Sequence, residues 1–262
     1  MNLELLFNKF KIQKGDKIIV SSDLLRLLLK TKKKEINFNP NDLIDILKEK
    51  IGKNGTLFIP TFNWDFFKGK TFYVNKSVSH SGSLGNVALK RKDFTRSFNP
   101  IYSFAVTGKD KDKICNQKHN DCFSLNSPFG YLIKNKGKNL FIDLHYKNPD
   151  ETLFIGFPFH HVVEQAAKVE YRYKKEFKGF YYNKKNEKKK LKIKFYAFDL
   201  KLKYRVFLKR KLYTDLLKKK IIKKETSHGV NFDLLDIKKT YDILKKDLSS
   251  KESFFIKKYQ KS

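Results

Sequence analysis

A short apolar run that stops at a polar cap and resumes as a helix most narrows what this chain can fold into. After the Gly15-Asp16 turn, Lys17-Ile18-Ile19-Val20 reads as a buried strand. Ser21-Ser22-Asp23 offers N-cap oxygens, and Leu24, Leu25, Leu27 and Leu28 follow at helical spacing. Strand, polar cap, helix is the repeating unit of α/β proteins. Leu3–Phe10 reads as a short amphipathic helix before it. Asn39-Pro40-Asn41 opens a second helix, Asp42–Ile51, closed by Gly52 and Gly55, and Thr56–Pro60 is the next strand. The loop Thr61-Phe62-Asn63-Trp64-Asp65 follows, and the Ser/Gly-rich loop Ser77–Gly85 leads into a helix near Asn86–Lys90. Phe104–Thr107 and Asn139–Leu144 are further strands, and His160–Ala167 is a helix. Between Tyr171 and Tyr204 aromatic and basic residues alternate, which predicts an antiparallel hairpin with Phe177, Phe180, Tyr182, Leu191, Ile193 and Phe195 on its apolar face. Asp236–Leu248 returns to helix, and a Lys-rich tail is expected to fray. The expectation is one α/β domain over residues 1–262, with a β-rich excursion at about 171–205.

At 262 residues and 40% hydrophobic content, the chain can bury a sizeable core. No apolar run approaches the roughly 20 residues of a membrane span, and Met1–Phe10 lacks the basic and apolar regions of a signal peptide. The cytoplasm is therefore the expected location. Cys115 and Cys122 make neither a disulfide framework nor a metal pattern and are expected as free thiols. A net charge of +31 points to a polyanion or a membrane surface as partner. Only six of the 58 basic residues are Arg, however, and proteins that read nucleic acid favour the bidentate Arg fork. The Lys excess reads first as compositional drift, which is compatible with a specific site for a polyanionic ligand, and no nucleic-acid partner is expected.

Three motifs could carry chemistry. In His160-His161-Val162-Val163-Glu164, a carboxylate one helical turn from an imidazole can fix its tautomer and stabilise its protonated form. His160 and His161 both satisfy that spacing, and a pair of surface histidines satisfies it equally. The His-His-x-x-Glu order lacks the i, i+4 double histidine of metalloproteases, so no metal is expected. The turn Val20-Ser21-Ser22-Asp23-Leu24 presents helix N-terminal N–H groups that can hold an anion or oxyanion, or it is an ordinary cap. In Arg96-Ser97-Phe98-Asn99-Pro100-Ile101-Tyr102-Ser103, an Arg in a Lys-dominated chain suggests geometry-specific work or a structural ion pair. His80, His119, His145 and His228 read as solvated. No phosphate-binding loop, dinucleotide fingerprint or serine elbow is present.

Taken in order, these segments resemble the aminoglycoside 3-N-acetyltransferase family. Its members open with a Gly-Asp turn and a strand ending near His-Ser-Ser-Leu, matched by Gly15-Asp16 and Ser21-Ser22-Asp23-Leu24. They continue through Gly55-Thr56-Leu57-Phe58-Ile59-Pro60-Thr61-Phe62, the loop Ser81-Gly82-Ser83-Leu84-Gly85, the Arg96–Ser103 block, Ser127-Pro128 and His161-Val162-Val163-Glu164. The likeness covers roughly residues 1–180. It departs at three positions: Ser21 and Asn99 stand where the family carries His, and Pro158 where it carries Thr. The stretch Asn63–Lys70 looks closer to relatives thought to act in surface-polysaccharide pathways.

The resemblance implies a three-layer α/β/α sandwich and an acyltransferase using acetyl-CoA. It selects His161 over His160 as general base, with Glu164 orienting the ring. It implies Ser21, Ser22, Leu24, Thr61 and Ser103 along the acetyl-CoA and Asp65, Arg96 and Asn99 toward the acceptor. The implied acceptor is the amino group of an amino sugar, such as a nucleotide-linked sugar for surface glycan synthesis. The alternatives are an aminoglycoside, giving antibiotic resistance, or a non-catalytic basic protein that binds nucleic acid.

Overall fold

The computed structural model describes residues 2–144, 159–250 and 252–260. In chain order the first half contains α1 (Leu3–Lys9), β1 (Lys17–Ser22), α2 (Leu24–Lys32), α3 (Pro40–Ile51), β2 (Thr56–Pro60), a 3₁₀ turn at Asp65–Lys68, β3 (Phe72–Tyr73), α4 (Ser83–Leu89), β4 (Thr95–Arg96) and β5 (Phe104–Gly108). The second half adds α5 (Lys111–Asn116), α6 (Pro128–Lys134), β6 (Lys138–Ile142), α7 (Phe159–Ala167), β7 (Arg172–Tyr182), β8 (Lys188–Phe198), β9 (Tyr204–Leu208), α8 (Arg210–Lys218), β10 (Ile222–Ser227), β11 (Val230–Asp236), α9 (Ile237–Leu248) and β12 (Ile256–Gln260).

The seven-stranded sheet runs β10-β11-β6-β1-β2-β5-β4. Its centre, β6-β1-β2, is parallel, and antiparallel strands extend it on both sides. Alternation along β1 explains the layers. Ile19 joins Phe58, Phe104, Val106 and Phe141 on one face, while Ile18 and Val20 join Leu57, Ile59, Leu140 and Ile142 on the other. Helices α1 to α4 cover the second face; α5 to α9 cover the first. This is the expected three-layer sandwich, because a sheet apolar on both faces must be covered on both.

Local chemistry sets the helix ends. Asp23 caps α2 by accepting from the Arg26 N–H, and Asn39 caps α3 ahead of Pro40 at its first turn. Gly52 ends α3 with φ +61°, a backbone region that favours glycine. The hairpin forms where expected, but its faces differ from the sequence reading. Phe177, Leu191, Ile193 and Phe195 turn inward, whereas Phe180 and Tyr182 have the opposite parity and face out with Lys190 and Lys188 beside them. The tail also departs from expectation: β12 pairs antiparallel with β9, so backbone hydrogen bonds hold the segment expected to fray.

Candidate active site

The carboxyl ends of β1 and β2 open onto a cleft of about 580 Å³, where ligands commonly bind in open α/β sheets. Its walls include Ser21, Ser22, Asp23 and Leu24 from the β1–α2 turn, Trp64 after β2, the loop His80–Ser83, Tyr102, and His160 with His161. Gly85 stands where α4 passes β2. A side chain there would run into the Pro60 carbonyl oxygen, so the close packing that shapes this wall requires glycine.

Helix α7 positions the histidines. Phe159, Val162 and Val163 bury on the core side, which leaves His161 at the cleft and Glu164 one turn further on. His161 Nδ1 lies 3.0 Å from Glu164 Oε2. The Arg172 Nε lies 2.7 Å from that same oxygen, and the Tyr171 hydroxyl donates to Glu164 Oε1 at 3.2 Å. Burial alone would raise the Glu164 pKa, but the neighbouring His160, the His161 hydrogen bond and Arg172 outweigh it and hold the group ionised. An ionised carboxylate only accepts, so His161 Nδ1 carries the proton and the Nε2 lone pair is left for a substrate proton. Burial, then the neighbouring His160 and the Arg172 guanidinium, push His161 below the ordinary imidazole value despite the opposing Glu164. The ring is thus neutral near pH 7. It packs on the Phe123 ring, 4.9 Å between centroids, and 17% of the side chain remains open to the cleft.

Other expected site residues lie elsewhere. Ser21, Ser22 and Leu24 line the cleft, but Thr61, Asp65, Arg96, Asn99 and Ser103 are not among its walls. Arg96 is buried beneath it. Its Nε donates to Ser103 Oγ at 2.9 Å, one terminal nitrogen donates to the Thr61 carbonyl at 2.6 Å, and the other donates to the Ser77 carbonyl. With every arm of the guanidinium engaged, Arg96 cannot reach an acceptor. Thr61 and Ser103 hydrogen-bond to each other at 3.0 Å, and Ser103 also donates to the Thr61 carbonyl. Asn99 Oδ1 accepts from the Ile101 and Tyr102 N–H groups, which makes it the pivot of a turn. Asp65 pairs with Lys70 at 3.4 Å. These residues hold the wall in place without forming its surface.

Of the histidines read as solvated, His80 and His228 are exposed as expected and His119 is not. His80 lines the cleft, where its Nδ1 accepts from the Trp64 N–H at 3.2 Å; the neutral ring therefore carries its proton on Nε2. The only sequence signal was its place in the Ser/Gly loop. His119 is buried beside Phe98, with Nδ1 3.1 Å from the Asp121 carbonyl. Pro158 and His145 fall outside the described residues. Cys115 and Cys122 are free, buried thiols whose pKa values burial raises. Donor atoms of His160, His161 and Glu164 lie within 4.8 Å of one another, close enough to suggest a metal cluster. Arg172 already neutralises that carboxylate, and its fixed charge opposes a cation there.

Fold and cleft together define an α/β protein whose sheet opens onto a cleft with one imidazole held by a buried carboxylate. The chain belongs to the aminoglycoside 3-N-acetyltransferase family, whose sequence pattern matches residues 30–249. It is an acetyl-CoA-dependent N-acetyltransferase. Solved structures share the fold at low identity. AAC-IIIb in a binary complex with CoASH superposes with a TM-score of 0.74 at 15% identity, covering 96% of each chain. AAC-VIa bound to sisomicin gives 0.71 at 14%, covering 95% of this chain and 97% of that one. The YokD protein from Bacillus subtilis gives 0.69 at 17%, covering 93% and 95%. No curated relative matches the sequence. Among the described residues, no helix is long and apolar enough to cross a membrane.

Proposed function

We propose that this chain acetylates the amino group of an amino sugar carried on an anionic group such as a nucleotide, with His161 as general base. The cleft's charge carries the reading. Among the described residues its walls hold three imidazoles and one carboxylate, Asp23, which already caps α2. A polycationic acceptor calls for several carboxylates, whereas a chain of net charge +31 favours an anionic one.

The donor set fits acetyl-CoA as co-substrate. Val20, Leu24, Ile59 and Leu84 supply apolar wall, and the hydroxyls of Ser22, Ser81 and Ser83 supply hydrogen bonds for an amide-bearing arm. His161 Nε2 takes a proton from the acceptor nitrogen as that nitrogen bonds to the thioester carbonyl carbon. The carbon–sulfur bond then breaks, and the thiolate leaves and is protonated. The first-turn N–H groups of Leu24 and Leu25 have no intrahelical acceptor and are candidate donors to the transient oxyanion. His80 Nε2–H is a further donor at the same cleft. The path has no covalent enzyme intermediate, consistent with buried, unactivated thiols.

The test is thiol release from acetyl-CoA with a panel of UDP- and dTDP-linked amino sugars and, in parallel, aminoglycosides. Turnover with a nucleotide-linked sugar supports the reading. Turnover with aminoglycosides alone, together with raised gentamicin tolerance on expression, overturns it in favour of a resistance enzyme. The sisomicin bound to AAC-VIa is the observation favouring that second reading.

A further inference from the structure

We infer that the outward face of the β7–β8 hairpin docks on an anionic lipid bilayer. From Lys174 to Lys194 the sequence holds ten lysines and two glutamates, with no arginine or aspartate. That is about three times the chain's mean density of net charge. The register sorts these side chains. On the outward face Glu176 opposes Lys194, Lys178 opposes Lys192, Phe180 opposes Lys190 and Tyr182 opposes Lys188. The inward face packs on the body through Phe67, Phe66 and Phe98 against Phe177, Gly179 and Tyr181. The open lysines are therefore not needed to attach the hairpin.

Their placement works against the fold. Like charges directly across an antiparallel pair are destabilising, and Lys178 and Lys192 are such a pair. Among the described residues the carboxylate paired with Lys178 is Glu176, at 3.8 Å, while the ion pairs of Lys174 with Asp121 and Lys189 with Glu187 lie toward the ends of the hairpin. A two-stranded face of 11-residue strands is an extended strip about 36 Å long, which suits a planar field of anionic headgroups.

Nucleic acid fits less well. The open face has no arginine fork, and its aromatic rings are already occupied: Tyr182 stacks on Tyr73 at 4.7 Å, and the Lys188 ammonium sits 4.4 Å over Phe180. Bases therefore have no clear ring to stack on. Phe180 is still 39% exposed, amid the lysines, where it can enter the headgroup layer.

The test is co-sedimentation of the full chain with phosphatidylglycerol-containing vesicles, against pure phosphatidylcholine vesicles. Binding should require the anionic lipid and fade at high salt. Lys178→Glu/Lys190→Glu/Lys192→Glu should weaken it about 100-fold, while Lys32→Glu/Lys33→Glu/Lys34→Glu, the same charge change on exposed residues around the end of α2, should change it less than about threefold. The neutral pair Lys178→Gln/Lys192→Gln guards against misfolding. It should weaken binding yet melt no lower than wild type, since it removes a repulsion. Equal loss in both triple variants, binding to neutral vesicles, or tighter binding to RNA or duplex DNA than to the anionic vesicles would overturn the inference.

Discussion

Two buried polar clusters lie within the same walls, and each contains an arginine. Around Arg96 every donor meets a protein acceptor, and the group closes on itself beneath the cleft. Around Glu164 the carboxylate gathers His161, Tyr171 and Arg172, and one group in the network, His161 Nε2, is left to face the cleft. A closed network fixes a shape, whereas a network with one open end can do chemistry. In the base role proposed for His161, Arg172 does for Glu164 what Glu164 does for His161: each holds its neighbour in the form the next step would use.

The contrast can be broken most sharply at His161. His161→Ala should lower acetyl transfer on the order of 10²–10⁴-fold and leave the melting temperature close to wild type; retention of activity within a few-fold would remove His161 from the base role. Arg96→Ala should do the reverse. It strands buried acceptors at Thr61, Ser77 and Ser103, and a loss of roughly 3–5 kcal/mol is expected in denaturant unfolding. A stable Arg96→Ala protein with a selectively raised KM for the acceptor would restore Arg96 to the substrate.

Glu164→Gln separates orientation from charge. An amide can donate to His161 Nδ1 and place the ring proton on Nε2, the wrong tautomer. Transfer should fall by about 10²–10³-fold with little change in acetyl-CoA affinity. The pH dependence of stability gives a smaller effect. Both folded-state values are depressed, His161 to about 3 and Glu164 to about 2. The unfolded chain therefore binds protons first on acidification, so stability present above pH 6.5 is lost as pH falls toward those values. His161→Phe should flatten the melting-temperature curve between pH 6.5 and acid. An unchanged slope would show that the ring is not held neutral by the fold. The smallest expected effect is that of Ser103→Ala, about 1–2 kcal/mol in unfolding with transfer nearly unchanged, because Ser103 supports the wall and does not line it.

Much of this was legible in the residues. The short apolar runs at Lys17–Val20 and Thr56–Pro60, the caps at Asp23 and Asn39, and the one-turn spacing of His161 and Glu164 are local patterns, and local patterns fix strands, helix starts and one helix face. Spacing alone left His160 and His161 tied. The structure separates their geometry, because His161 Nδ1 is the atom placed against Glu164.

What the sequence could not determine depends on partners distant along the chain. Whether Arg96 points into the cleft or under it is set by carbonyls of Thr61 and Ser77, on other segments. His80 enters the cleft because its loop folds back on Phe62 and Trp64. β11 joins the central sheet beside β6, some ninety residues earlier in sequence, and Arg172 reaches Glu164 from a different element. Local propensity and periodicity act within a few residues, so the sequence alone determined the elements and the one-turn spacing of the histidine pair from Glu164. The tertiary structure decided which polar groups close on one another and which one stays open to substrate, because hydrogen-bond satisfaction in a buried network depends on every chain segment that meets there.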